Sequence, residues 1–187
     1  MGIYYMNIFR LHDDPVKAAQ MMCDKHVVKM VTEYGQLLST AHRVIDGTPE
    51  KRPSKSGKRM VDHYIVEGEA RESLLYKVAH KNHPSAIWCR ENENNYRWLF
   101  KHFQATAKEY QHRYGRVHMT YDKLGGLLWF APRNINLVGR QTVMPQCMPD
   151  ECKQPDVVDG YRKYYREVKK GFAKWTKREV PDWFLEQ

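Results

Sequence analysis

The chain is organised around the stretch Cys23-Asp24-Lys25-His26-Val27-Val28-Lys29-Met30-Val31-Thr32-Glu33-Tyr34-Gly35-Gln36. This stretch lies within residues 15–42, where apolar side chains recur at helical spacing: Val16, Ala19, Cys23, Val27, Met30, Tyr34, Leu37, Leu38 and Ala41. The period predicts one long helix with a buried apolar stripe. Asp14 as N-cap and Pro15 at the first helical position mark where the helix begins.

A strip of polar side chains runs beside the apolar stripe. On a helical wheel with Met22 at zero, it falls within about 40° of that residue and consists of His26, Lys29, Glu33, Gln36 and Thr40. Groups at such a boundary are partly desolvated, and desolvation shifts pKa values towards those useful in catalysis. The spacing is equally typical of a solvated flank with i, i+4 ion pairs.

A second polar cluster is the pentad His80-Lys81-Asn82-His83-Pro84. Pro84 disfavours helical backbone at His83, so the pentad is predicted to be a turn between two helices. Two imidazoles, an ammonium and an amide on one turn make it a candidate site. The alternative is a structural connection in which His and Asn cap helices.

The remaining segments indicate a helical protein. Helical spacing predicts further helices at residues 60–79, at 85–114 before Gly115, at 122–130 and at 156–170. Residues 3–11 are short and apolar, as in an extended segment. Residues 46–58 read as a flexible basic loop, and residues 131–155 as an irregular loop that wraps the surface. We expect residues 1–187 to form one mainly α-helical domain, an irregular bundle with a short N-terminal extended segment.

Composition favours a nucleic-acid partner. The formal net charge is +9, and the chain has 12 tyrosines and 5 tryptophans, which suits a polyanion. Basic and aromatic residues interleave from Tyr161 to Phe184, as in sites for single-stranded or flipped nucleotides, although they can equally pack a C-terminal segment on the core. No apolar run predicts a membrane span, and no signal-peptide pattern is present. Met6 is an alternative start to Met1.

Motifs for common cofactors are missing from the sequence. The four cysteines are expected to be free thiols, and neither a metal site nor a cofactor is predicted. The candidate catalytic residues are therefore the polar groups of the two clusters: His26, Lys29, Glu33, His80 and His83. A carboxylate beside an ammonium and imidazoles supports acid–base chemistry, and a lysine near a carboxylate can form a Schiff base with an opened sugar.

Nearly the whole chain resembles a group of small tailed-phage proteins that are similar to pyrimidine-dimer DNA glycosylases. The shared positions are residues 6–9, 23–30, Glu33, 36–38, 80–84, Trp88, Asn95, Tyr96, 113–115, His118, Gln146, 148–149, Tyr161, Tyr164, Tyr165, Trp175 and 181–183. That enzyme class is all-helical, uses an N-terminal amine and a glutamate, and flips a base. Here the resemblance implies Glu33 as the carboxylate, with Lys29 or Lys25 in place of the amine.

The resemblance implies a DNA N-glycosylase, with or without lyase activity, that repairs or modifies DNA in the cytoplasm of an infected bacterium. Its partner would be double-stranded DNA with a flipped pyrimidine, or single-stranded DNA. The candidate substrate-binding residues are Lys25, Gln36, Lys81, Asn82, Arg90, Asn95, Tyr96, Arg113, His118 and Gln146.

Two other functions stay open at this point. One is a DNA-base hypermodification transferase similar to thymine pyrophosphorylases, because a His, Lys and Arg site suits a pyrophosphate leaving group. The other is a non-enzymatic nucleic-acid-binding or host-interaction protein. The sequence carries no prediction of the oligomeric state.

Overall fold

The computed structural model describes residues 6–54 and 56–185, and this part of the chain is mainly α-helical. The helices are α1 Pro15–Met21, α2 Asp24–Asp46, α3 Glu69–Leu74, α4 Pro84–Glu91, α5 Glu93–Tyr114, α6 Met119–Leu128, α7 Val157–Tyr164 and α8 Asp182–Leu185. A two-stranded sheet consists of β1 Thr48–Pro53 and β2 Met60–Ile65. Single turns of 3₁₀ helix lie at Asp150–Cys152 and Lys170–Phe172, and a π-helical turn at Tyr165–Lys169. The predicted helical fold class is confirmed.

The core forms where α2 packs against α5, with α1, α4 and α6 around them. The apolar stripe of α2 is buried as predicted, although Val16 in α1 is exposed. Gly35 allows α6 to approach α2 closely, because a Cβ atom at this position would lie 2.7 Å from Thr120 Cγ2. The polar strip beside the apolar stripe of α2 remains for the candidate site.

The prediction of one continuous helix over residues 15–42 is wrong at Met22 and Cys23, whose backbones are extended. The side chain of Asp14 does cap α1, as predicted, by accepting hydrogen bonds from two backbone amides. At the break, the amide of Asp24 donates to the carbonyl oxygen of Lys174 over 2.8 Å. A contact with the far end of the chain therefore replaces the hydrogen bond that would have continued the helix.

The predictions for residues 46–58 and 60–79 also need correction. Residues of the expected flexible loop form β1, which pairs in antiparallel register with β2. Lys51 faces Asp62 across the two strands, with 2.5 Å between Nζ and Oδ1. Cross-strand pairs of this kind stabilise a hairpin, and Val61 and Tyr64 have high strand propensity. Of the helix expected at residues 60–79, only α3 is present.

Both ends of the described chain enter the same core. Residues 6–11 are extended, as predicted, whereas residues 3–5 of that prediction lie outside the described residues. The side-chain amide of Asn7 donates through Nδ2 to the carbonyl of Cys147 over 2.7 Å, and the Tyr161 hydroxyl donates to Asn7 Oδ1 over 2.8 Å. The N-terminal segment is thus held by residues that come more than a hundred positions later.

Residues 131–155 cross the surface of α4 and α5 without helix or strand, apart from the 3₁₀ turn. The Trp88 indole donates to the carbonyl of Thr142 over 3.1 Å, and Asn92 Nδ2 donates to the carbonyl of Arg140 over 3.3 Å. These bonds hold the irregular segment against α4 and α5.

Candidate active site

The centre of the polar strip on α2 is an ion pair. Lys29 Nζ lies 2.7 Å from Glu33 Oε1, and the side chains are 48% and 15% exposed, respectively. Glu33 Oε2 is buried and has no hydrogen-bond partner among the residues that the structure describes. Because a buried carboxylate oxygen without a donor costs free energy, this atom is suited to accept a proton, a hydrogen bond or a developing positive charge from a ligand.

His26 occupies an aromatic cage at the N-terminal end of the strip. Its ring stacks on Phe9 with centroids 4.1 Å apart, and Tyr165 and Phe172 contact it edge-on. Its Nδ1 is hydrogen-bonded to the Tyr165 hydroxyl. Burial, together with the nearby charges of Lys169 and Lys29, lowers the pKa of His26 to about 3. The imidazole is therefore neutral at pH 7 and shielded from solvent.

The histidine turn is attached to the other end of the strip. Thr40 Oγ1 accepts a hydrogen bond from the amide of Ala79 over 3.1 Å and donates to the Ala79 carbonyl over 3.3 Å. His80 follows with a φ of 49°, and His83 caps α4 by accepting a hydrogen bond at Nδ1 from the amide of Ser85. Burial lowers the pKa of His83, and the charge of His80 lowers it further.

The two predicted clusters are thus neighbours, but His26 stands apart from the turn. With a rise of 1.5 Å per residue, His26 and Thr40 are separated by about 21 Å along α2. Glu33 and Gln36 lie between them, about 10 and 6 Å from Thr40 along the axis. Along the helix axis, Gln36 is therefore nearest to the histidine turn, Glu33 lies midway, and Lys29 is nearest to His26, whose pKa its charge lowers.

Several predicted basic residues remain on the surface or partly buried. Lys25 lies over the Phe172 ring, and Lys81 Nζ donates to the Tyr64 hydroxyl over 2.8 Å. Asn82 is exposed. Arg90 Nη1 is buried without a hydrogen-bond partner in the described part of the chain, and burial lowers the pKa of its guanidinium. A partly buried cation of this kind is suited to an anionic ligand.

Three further predicted residues use their polar groups inside the protein. Asn95 binds the Trp88 carbonyl and both the hydroxyl and the amide of Thr142. The Tyr96 hydroxyl donates to the Leu128 carbonyl over 2.9 Å. Gln146 pairs with the backbone of Gln154 through both of its amide atoms. Substrate contact by these residues stays a prediction that their placement does not support.

Arg113 is a fully buried structural hub. Its guanidinium donates to Glu109 Oε1 over 2.7 Å, to Asp24 Oδ1 over 2.8 Å and to the carbonyl of Gln20 over 3.0 Å. Arg178 reaches the same Glu109 carboxylate from the C-terminal segment. These bonds tie α1, α2 and α5 together, so the location of Arg113 explains stability better than substrate binding.

His118 lies beside the N-terminal half of α2. Its Nδ1 accepts a hydrogen bond from the amide of Thr120, and its Nε2 donates to the carbonyl of Val28 over 3.2 Å. The Thr120 hydroxyl in turn lies 3.3 Å from that of Thr32 and 3.1 Å from that of Tyr76. These contacts form the edge of the polar strip on the α6 side.

Sequence reasoning missed Phe9, Tyr165 and Phe172 as neighbours of His26, and Tyr76 and Thr120 as the α6 edge of the strip. Tyr165 lies 139 positions after His26. No local spacing joins residues so far apart, so the sequence offered no signal that could have paired them.

With the geometry in place, the comparisons with known proteins give one match. The family model described as pyrimidine dimer DNA glycosylase matches residues 6–123, well over half of the 187-residue chain. The chain belongs to this family. Neither the comparison with curated proteins nor the comparison with solved structures gave a match. The family match contains the Lys29–Glu33 pair, the histidine turn and His118.

In residues 6–54 and 56–185, no three His, Cys, Asp or Glu side chains are grouped as metal ligands. Over the same residues, none of the helices combines the length and the apolar character needed to cross a membrane.

Proposed function

We propose that this protein is a DNA N-glycosylase that acts on a pyrimidine flipped out of the DNA stack, with Glu33 and Lys29 in its active site. Membership of the pyrimidine dimer DNA glycosylase family supports DNA as the substrate. The observation that carries the proposal is the state of Glu33. It is a mostly buried carboxylate with one oxygen on an ammonium and the other without a partner in the described residues.

Glu33 fits the charge that develops when an N-glycosidic bond breaks. As the base departs, positive charge builds up on the sugar around C1′, and a nearby carboxylate stabilises it. The low exposure of Glu33 strengthens this attraction, because little water screens the charge. Glu33 Oε2 is the atom assigned to this role.

Lys29 is the proposed amine. Its Nζ, 2.7 Å from Glu33 Oε1, passes a proton to the carboxylate and attacks C1′ while the C1′–N bond breaks. The base leaves with the electron pair and takes the proton from Glu33, which becomes a carboxylate again. The new adduct loses a proton from nitrogen, and O4′ gains a proton as the sugar ring opens, which gives a Schiff base. Removal of a proton from C2′ by Glu33 would expel the 3′ phosphate, which is the lyase step.

Residues around this pair are assigned to holding the DNA. Gln36, one turn before Thr40 on α2, and the histidine turn, which Thr40 holds through Ala79, are assigned to the edge of a flipped base, which an amide and imidazoles can bind. Arg90 is assigned to a backbone phosphate, since its partly buried Nη1 has no hydrogen-bond partner among the described residues and favours an anion. Lys81, which lies 3.4 Å from Asp62 Oδ2, is assigned to a second phosphate. The net charge of +9 supports attraction of the duplex.

The test uses a duplex with one pyrimidine dimer, assayed for base release and for a covalent adduct after borohydride reduction. Glu33→Gln should lower base release at least about 100-fold, as expected for loss of an acid–base group. Lys29→Met should abolish the adduct. Lys101→Met, at an exposed position on α5, is the matched control and should behave as the wild type.

Each outcome has a separate meaning. Absence of both base release and adduct with the wild-type protein would refute the proposal. An adduct that persists in Lys29→Met would move the amine to Lys25 or to a chain terminus, which peptide mapping of the adduct would locate. Amine incorporation into DNA without base release would favour the hypermodification function. The phage origin, the repair role and the cytoplasmic location stay predictions.

A further inference from the structure

Met119, the first residue of α6, is an apolar side chain held in solvent. It is 85% exposed, and two more exposed apolar residues, Val117 and Val28, lie close to it around His118. A single exposed apolar residue needs no explanation. Three of them around one anchored histidine, at the edge of a candidate DNA site, form a feature that a partner would cover.

The backbone beneath Met119 is fixed. His118 caps α6 through Nδ1 and binds the carbonyl of Val28 through Nε2, so both ring nitrogens are used. Its ring also packs edge-on against Tyr110, with centroids 4.9 Å apart. Met119 is therefore presented by a rigid support rather than by a loose loop, and this reduces the entropy that binding would cost.

Met119 lies between two residues that are anchored to α2, since His118 binds the carbonyl of Val28 and Thr120 contacts Thr32. The residue after it, Thr120, contacts Thr32 on α2 with 3.3 Å between hydroxyl oxygens. Thr32 directly precedes Glu33 and lies three residues after Lys29. A group that projects from residue 119 is thus at the rim of the stretch where the flipped nucleotide is placed.

The charges around Met119 suit a duplex on both sides. Arg116 is held by the Tyr110 hydroxyl over 2.9 Å, and Lys123, one turn along α6, lies over the Tyr76 ring. Lys25 and Lys29 flank Val28 on α2. An apolar projection with cations on either side matches the way proteins insert a wedge between base steps while holding the backbone phosphates.

We propose that Met119 is a positioning residue that enters the base stack next to the flipped nucleotide and fills the space it leaves. The inference rests on the proposed glycosylase function and adds a named contact to it. By occupying the gap, Met119 would slow the return of the base, and the flanking cations would hold the bent backbone.

The experiment compares Met119→Ala with Val143→Ala, a matched control that truncates another apolar side chain, 83% exposed, on the wrapping loop. Base release is measured on the dimer-containing duplex and on the same strand without its complement. On the duplex, Met119→Ala should release the base about tenfold more slowly than the wild type. On the single strand its rate of base release should equal that of the wild type, because no stack has to be opened. Val143→Ala should keep the wild-type rate of base release on both substrates. Met119→Leu should restore that rate on the duplex.

A second readout does not need catalysis. 2-Aminopurine next to the target site becomes more fluorescent when its stacking is disrupted. We expect binding of the wild type to raise this fluorescence and binding of Met119→Ala to raise it much less, at equal saturation and with equal melting temperatures. If the wild type releases no base, the glycosylase function falls while this readout still tests the wedge.

The inference is overturned by any of three results. Met119→Ala could match Val143→Ala on the duplex. The rate of base release by Met119→Ala could fall by the same factor on the duplex and on the single strand, which would indicate a general defect. The fluorescence change could be absent with the wild type or the same with both proteins.

Discussion

Acidification from pH 7.5 to pH 5 should destabilise the fold strongly, because three histidines are buried in the neutral form. Burial lowers the pKa to about 3 for His26 and to about 4 for both His42 and His102. In the unfolded chain the same groups have a pKa of about 6.5. Below pH 6.5 the unfolded state therefore binds protons that the native state does not, and stability falls as the pH falls towards 4.

The magnitude follows from the size of the shifts. At pH 5 each histidine is 1.5 pH units below its unfolded pKa, which corresponds to about 2 kcal/mol at 1.36 kcal/mol per unit. Three such groups give about 6 kcal/mol, a large part of the 5–15 kcal/mol that is typical for a domain. The carboxylates with lowered pKa values, among them Asp24 and Glu109, add to this only at lower pH.

The assay is urea denaturation at several pH values from 7.5 to 5, with His26→Phe as the informative variant. Phenylalanine keeps the stacking on Phe9 and loses only the polar contact with Tyr165. The variant should start slightly less stable at pH 7.5 and lose about 4 instead of 6 kcal/mol by pH 5. An unfolding free energy that stays constant over this range, or equal losses in both proteins, would refute the reasoning.

Five further substitutions test the packing. Arg113→Met should cost about 3–5 kcal/mol of unfolding free energy, because it takes a fully buried guanidinium away from the carboxylates of Glu109 and Asp24. Arg178→Met, at a partly exposed site, should cost about 1 kcal/mol or less. Equal losses in urea denaturation would contradict the structural role of Arg113. Gly35→Ala should cost about 1–3 kcal/mol of unfolding free energy, since its methyl group would meet a side chain of α6. Gly126→Ala, with open space around it, should stabilise the protein by about 0.5–1 kcal/mol. The melting temperatures of the two variants must therefore move in opposite directions. Thr40→Val should cost about 1–2 kcal/mol of unfolding free energy, because two hydrogen bonds are lost. The rate of amide hydrogen exchange in the histidine turn should rise. An unchanged exchange rate would show that other contacts hold the turn.

Local chemistry allowed much of the fold to be predicted. The stripe and the polar strip of α2 follow from a period of 3.6 residues, and the start of α1 follows from Asp14, whose side chain caps it. The end of α5 follows in the same way from Gly115, which has a φ of 72°. Each of these features depends on residues within a turn or two of one another.

Features decided by distant contacts could not be predicted. The break between α1 and α2 depends on the carbonyl of Lys174, and the environment of His26 depends on Tyr165. The hairpin arises because residues 48–53 find a partner in residues 60–65, although a proline-containing, charged segment favours a loop on local grounds. For the site, the sequence predicts the strip and the turn as separate clusters, and the bonds of Thr40 with Ala79, 39 positions away, join them.

The meeting of both chain ends in one core has a consequence during synthesis on the ribosome. The residues around Asn7 and Leu11 wait for Tyr161 and Arg162, which are made 154 and 151 positions later and donate hydrogen bonds to Asn7 Oδ1 and to the Leu11 carbonyl. Such long-range closure delays folding. We expect a nascent chain that stops after the family-matched region to display an open aromatic cage and to be recognised by chaperones or proteases.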